Sequence, residues 1–130
     1  MKRRVNVIGV GMTKFAKPGS SPEYFEMARE AGLNALKDAG IAYADVQQAY
    51  AGYVYGDSTC GQRAVYELGL TGIPVVNVNN NCSTGSSALY LARQAIEGGM
   101  LTLRRDALQK LKRGITSVEE VLKETAADKL

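Results

Sequence analysis

Apolar and polar positions change period several times along the first hundred residues, and each change predicts an element. Val5, Val7, Ile8 and Val10 form a β-branched run punctuated by Gly9 and Gly11, which predicts a buried strand over residues 5–11. Ser21-Pro22 then offers an N-cap and a first helical proline. Tyr24, Met27/Ala28, Ala31 and Ala35 keep to one helical face as far as Gly40, a C′ glycine. A second strand is predicted over 49–55, ended by Gly56-Asp57-Ser58, and a short helix over about 62–68. Gly72-Ile73-Pro74 leads into a third strand over 75–79. The pairs Ala88/Leu89, Leu91/Ala92 and Ala95/Ile96 then predict a helix over 83–97. The order β-α-β-α-β-α predicts an α/β fold with a parallel sheet.

The pattern breaks near residue 100. All but one of the 14 glycines and all of the tyrosines and phenylalanines precede it. The remainder is polar, with short apolar stripes at Ala107/Leu108, Leu111 and Ile115, and at Val118, Val121 and Leu122. Thr116-Ser117-Val118-Glu119 reads as a capping box in which Thr116 and Glu119 satisfy each other's free amides. The chain is therefore expected to comprise a domain over 1–100 and a helix–turn–helix tail over 101–130 that has too little apolar surface to fold alone.

Composition narrows the function. At 45% hydrophobic and 22% charged, the chain is not disordered or low-complexity. Its net charge of +3 is spread out, and the cluster Arg104, Arg105, Lys110, Lys112, Arg113 reads as a solvated face, so no nucleic-acid partner is expected. No apolar stretch reaches the length of a membrane span or a signal peptide, and the final Asp128-Lys129-Leu130 is not a peroxisomal Ser-Lys-Leu address. With only two cysteines, a reducing, cytoplasmic compartment is the expected location. There is no histidine, which removes the usual general base and the commonest metal ligand; no metal site is expected.

Gly9-Val10-Gly11 follows a predicted strand, but a dinucleotide fingerprint needs a third glycine where Lys14 stands. Cys82 is the sharper candidate. It falls between the third strand and the following helix, within Asn79-Asn80-Asn81-Cys82-Ser83-Thr84-Gly85-Ser86. A helix N-terminus favours thiolate over thiol, and its amides can receive the oxygen of a thioester. The carboxyl ends of parallel strands are also where open α/β sheets place their sites. A buried, purely structural cysteine is the competing reading for Cys82, and it is the favoured one for Cys60, which has no comparable row of small polar residues after it.

Three blocks carry a resemblance. Gly9-Val10-Gly11-Met12-Thr13-Lys14-Phe15, the stretch from Gly52-Tyr53-Val54-Tyr55-Gly56 to Cys60-Gly61-Gln62-Arg63, and that from Gly72-Ile73-Pro74 to Cys82-Ser83-Thr84-Gly85-Ser86 occur in this order. Over residues 4–99 the chain resembles the N-terminal part of the thiolase superfamily, of the sterol-carrier-protein-X type. The resemblance implies a partial thiolase-like N-terminal domain with an appended helical hairpin, and an acyl-CoA acyltransferase of lipid metabolism in which Cys82 accepts the acyl group. Coenzyme A thioester would be substrate, with no bound cofactor. In the family a histidine and a second cysteine from later segments complete the chemistry, so the chain alone is not expected to turn over. The third strand lies at the dimer interface of thiolases, which implies a homo-oligomer through residues 75–79.

Leu103-Arg104-Arg105-Asp106-Ala107-Leu108 and the stretch from Lys112-Arg113-Gly114 to Glu120-Val121 are similar to the extreme C-terminus of bacterial secretion and type IV pilus assembly ATPases. None of the nucleotide-binding motifs is included. The alternative to an acyltransferase fragment is thus a non-catalytic interaction module, or a fusion whose tail mimics such an ATPase.

Overall fold

The computed structural model describes residues 4–17, 19–99 and 103–124, with the side chains at 103–107 and 122–124 outside that description. Ala107, Leu122, Arg104, Arg105 and the terminal Asp128-Lys129-Leu130 therefore lie outside the described side chains or residues. The chain divides into two compact units, residues 1–97 and 98–130.

The first unit is built on two strands. β1 (Ala49–Gly52) and β2 (Val75–Val78) pair in parallel, in register from Ala49 opposite Val75 to Gly52 opposite Val78. α2 (Cys60–Tyr66) is the crossover between them. Strand alternation puts Ala51 and Asn77 on one face, and Gly52 and Val78 on the other. A side chain on Gly61 would run into Asn77 and Ala51, so α2 covers the first face. A Cβ on Gly52 would stand 2.9 Å from the carbonyl oxygen of Thr84, so α3 (Thr84–Glu97) covers the second. α1 (Tyr24–Ala39) forms an outer layer on α2, where Gly32 meets the Leu68 side chain and the Arg63 guanidinium sits 4.3 Å over the Phe25 ring. Val78 and Ala88 are buried between sheet and α3, and Cys60 and Gly61 between sheet and α2.

The α/β class with a parallel sheet holds, and the β-α-β-α order is met from the second predicted strand onward. The strand predicted over 5–11 does not form. A strand needs a partner for its amides and carbonyls. Gly9 and Gly11 instead lie against Ala31, Ala35 and Ala39 of α1, whose backbone groups are committed to the helix. The Val10 amide donates to Asp38 Oδ2 at 2.9 Å. Val7, Ile8 and Val10 remain exposed.

Helix boundaries moved for identifiable reasons. α1 starts two residues after Pro22, because Glu23 and Glu26 form a reciprocal capping box that Ser21, with Tyr24 three residues on, cannot match. It ends as expected at Gly40, whose φ of 68° lets Ile41 donate back to the Leu36 carbonyl. α2 begins at Cys60, two residues early, since Thr59 turns left-handed (φ 63°) and Asn77 of β2 accepts from the Gly61 amide at 2.8 Å.

The second unit contains α4 (Leu103–Lys112) and α5 (Val118–Glu124). Gly114 (φ 68°) donates to Leu111 and Ile115 to Lys110, a Schellman closure of α4. The capping box is shifted by one residue from Thr116/Glu119: Ser117 Oγ accepts from the Glu120 amide at 3.2 Å, and Glu120 Oε2 accepts from the Ser117 amide at 3.4 Å. Thr116 Oγ1 donates to the same carboxylate at 2.5 Å, so the threonine helps the box without being its cap. Val121 is buried.

Candidate functional site

Both parallel strands end, at their carboxyl side, in loops rich in small and amide residues. β1 runs into residues 53–59, and β2 into Asn79, Asn80 and the 3-10 turn Asn81–Ser83 that opens α3. The two loops are tied together. The Tyr53 amide donates to the Val78 carbonyl at 3.1 Å, and Asn79 Nδ2 donates to the Val54 carbonyl at 3.1 Å.

Cys82 sits at the centre of that 3-10 turn, one residue after Asn81 in a left-handed conformation (φ 48°) that asparagine tolerates better than most residues. Its thiol is exposed. The turn precedes the helix, so Cys82 stands just outside the first turn of α3. Around it, Ser83 Oγ donates to the Asn80 carbonyl at 2.9 Å, and Asn80 Nδ2 donates to Ser87 Oγ at 2.9 Å. Thr84 Oγ1 donates to the Val78 carbonyl at 2.6 Å and accepts from the Asn80 amide at 3.4 Å. A Cβ on Gly85 would meet nothing within 4 Å, so the space over the first turn of α3 is open. An exposed cysteine thiol can attack an electrophilic carbon that reaches it from solvent.

Cys60 takes no part in this network. It is only 4% exposed, and its sulfur packs against the backbone of Gly56. Both thiols are free. Among the described residues no three His, Cys, Asp or Glu side chains are grouped to hold a metal, and no helix is long and apolar enough to cross a membrane. An open cleft of about 510 Å³, lined by Phe25, Glu26, Arg29, Glu30, Leu33, Asn34 and Glu67, lies on the outer α1–α2 layer and does not include Cys82.

The hydrogen bonds of Asn79, Asn80 and Thr84 are not legible from the motif that contains them. Asn81 could have been read from the preference of asparagine for left-handed turns. Thr84 could not, because its partner carbonyl belongs to a strand whose end is set by pairing with β1.

Fold and turn together define the class: an α/β protein presenting a cysteine between a parallel strand and the helix that follows it. Residues 5–103 match the family model described as "Thiolase, N-terminal domain". Sterol carrier protein 2 of Gallus gallus is 67% identical over 102 residues, covering 77% of this chain and 19% of the relative. The protein of that name from Homo sapiens is 64% identical over 101 residues, covering 75% and 18%. A benzoylsuccinyl-CoA thiolase subunit of Thauera aromatica is 34% identical over 102 residues, covering 77% and 26%. The crystal structure of 3-oxoacyl-[acyl-carrier-protein] synthase III from Aquifex aeolicus superposes with a TM-score of 0.53 at 20% identity, covering 62% of this chain and 27% of that one, a likeness of fold. The chain belongs to the thiolase family. It spans about a fifth of the length of the sterol carrier protein 2 relatives.

Proposed function

We propose that this chain is a thiolase-type acyltransferase segment acting on coenzyme A thioesters in lipid metabolism, with Cys82 as acyl acceptor. The observation that carries the reading is the exposed thiol on the turn between β2 and α3, in a chain of the thiolase family. The relatives named as a thiolase subunit and as an acetyl-CoA acetyltransferase support the reaction class. The Cys82 thiolate attacks the thioester carbonyl carbon. A carbon–sulfur bond to Cys82 forms, the bond to coenzyme A breaks, and the departing thiolate takes up the proton that Cys82 gave up.

The 130 residues hold no histidine, and Cys60 is buried, so neither supplies a base for the α-carbon of a second acyl group. One acyl transfer without turnover is the expected behaviour. Coenzyme A enters as substrate, and no resident cofactor is part of the reading. Incubation with octanoyl-CoA followed by intact-protein and peptide mass spectrometry tests it. A single acyl adduct on Cys82 that disappears in Cys82→Ser is expected. No adduct, or one on another residue, refutes it.

The cytoplasm is the proposed compartment. A homo-oligomer would form by pairing of β2, whose only partner among the described residues is β1. Light scattering that finds a monomer at all concentrations would refute that pairing. The second reading, a non-catalytic interaction module whose tail mimics a secretion ATPase C-terminus, is favoured by the helical pair α4–α5. Nearly all of that pair lies beyond the matched residues 5–103, and Ile115 in its connection and Val118 at the start of α5 are exposed.

A further inference from the structure

We infer that Thr84 is a positioning residue for Cys82: its hydroxyl clamps the last carbonyl of β2 to the first turn of α3 and so sets the turn that carries the thiol. The inference rests on the reading of Cys82 as acyl acceptor.

The geometry is specific. Thr84 Oγ1 donates to the Val78 carbonyl at 2.6 Å and accepts from the Asn80 amide at 3.4 Å, bridging both ends of the connection that holds Cys82. The Val78 carbonyl also accepts from the Tyr53 amide at 3.1 Å, so both its lone pairs are used and the hydroxyl has one defined place to point. Thr84 is half-buried, and its own carbonyl lies against Gly52 so closely that a Cβ there would stand 2.9 Å away. The threonine backbone is thus held by β1 while its side chain holds β2.

Between these anchors Asn81 adopts its left-handed conformation (φ 48°) and Ser83 donates back to Asn80. Without the hydroxyl, the Asn80 amide loses its side-chain partner and the Val78 carbonyl loses its tie to α3, leaving the side chains of Asn79 on Val54 and of Asn80 on Ser87 to hold the connection. The thiol would stay exposed. What would change is the direction of the sulfur relative to the first turn of α3, and acyl transfer depends on that direction in a way that simple accessibility does not.

The test uses the full chain with Thr84→Val, which keeps the shape and removes the hydroxyl, and Thr84→Ser, which keeps the hydroxyl. Acylation of Cys82 by octanoyl-CoA is followed by mass spectrometry, and alkylation of Cys82 by iodoacetamide is measured in parallel. Thr84→Val is expected to slow acylation about tenfold, the worth of one ordinary hydrogen bond at the reacting geometry. Its alkylation rate should stay within a factor of about two, on the scale where 1.4 kcal/mol is tenfold, and Thr84→Ser should recover the acylation rate. Equal losses in both reactions, no loss in acylation, or no recovery with serine would overturn the inference. If the unsubstituted chain takes no acyl group, it is the functional reading that fails. The clamp is then decided by amide exchange: faster exchange at Asn80 in Thr84→Val, restored by serine, supports it, and unchanged exchange overturns it.

Discussion

Asn77→Ala offers the sharpest test of how the first unit is held. Asn77 is a polar residue in a strand of valines, half-buried beneath α2. Its Oδ1 accepts from the Gly61 amide at 2.8 Å, and its Nδ2 donates to Gln62 Oε1 at 2.5 Å. Thr59, the residue at the N-cap position of α2, makes no side-chain cap bond, so Asn77 supplies from β2 what the local sequence does not. Gly61 is buried, and its amide would be left without a partner, at a cost of about 1–3 kcal/mol. Gln62 is half-exposed and can turn to water, so its share is nearer ~0.5 kcal/mol. The sum, about 2 kcal/mol, is roughly a thirtyfold change in the folded ratio. With a urea slope of about 2 kcal/mol/M, the midpoint should fall by about 1 M. Far-UV circular dichroism in urea would read it, with Gln62→Ala as the control losing only the weaker bond. A midpoint within about 0.2 M of the unsubstituted chain, or equal losses in the two variants, would refute the reasoning.

Gly52→Ala should destabilise by about 1–3 kcal/mol in the same titration, because the new Cβ meets the backbone carbonyl of Thr84 at 2.9 Å rather than a flexible side-chain end; an unchanged midpoint would refute the close β1–α3 contact. Cys82 should alkylate faster than Cys60 at neutral pH, since one thiol is exposed and the other buried, and peptide mapping after a short pulse of iodoacetamide checks the order. Glu120 is held below the usual carboxylate range chiefly by the Thr116 hydroxyl, then by the Ser117 amide, with burial opposing. Its support for α5 is therefore present above the unfolded value of about 4.3 and is lost as pH falls through the folded one, so acid should lower the protection of amides at the start of α5, read as the exchange rate relative to that of an unfolded chain at the same pH, and Glu120→Gln should abolish that pH dependence of protection. Val7, Ile8, Val10, Met12 and Phe15 are all exposed, Phe15 to 98%, so an apolar dye should bind the unit, and binding should drop when Phe15 and Met12 are made serine.

What the sequence made legible was local. Gly40 marks the end of α1 because a left-handed residue there is a property of four neighbouring residues. The β-branched run of β2 and the stripe of α3 carry their own periods. Two of the misses come from distant parts of the chain. Residues 5–11 have the composition of a strand, but pairing depends on another segment of chain, and the nearest neighbour turned out to be a helix. The early start of α2 depends on Asn77, sixteen residues after Gly61. In the tail two hydroxyls stand side by side, and spacing alone cannot say whether Thr116 or Ser117 becomes the cap; the register of α5 decides it.

The same division between local and distant determinants explains why Cys82 could be picked out while its surroundings could not. Its position after a strand and before a helix follows from the order of elements. The shape of its turn follows from hydrogen bonds that cross the sheet, with Val78 shared between Tyr53 and Thr84, and with Asn79 reaching Val54 twenty-five residues away. Those bonds involve the loop after β1, the end of β2 with the residue that follows it, and the first turn of α3, and none involves residues 4–17. The thiol-bearing turn is therefore specified by a part of the fold that can persist while the exposed apolar segment at the start of the chain rearranges. A change in that segment should alter solubility and dye binding without altering the alkylation rate of Cys82, and a matching loss in both would mean that the turn leans on contacts outside the sheet and α3.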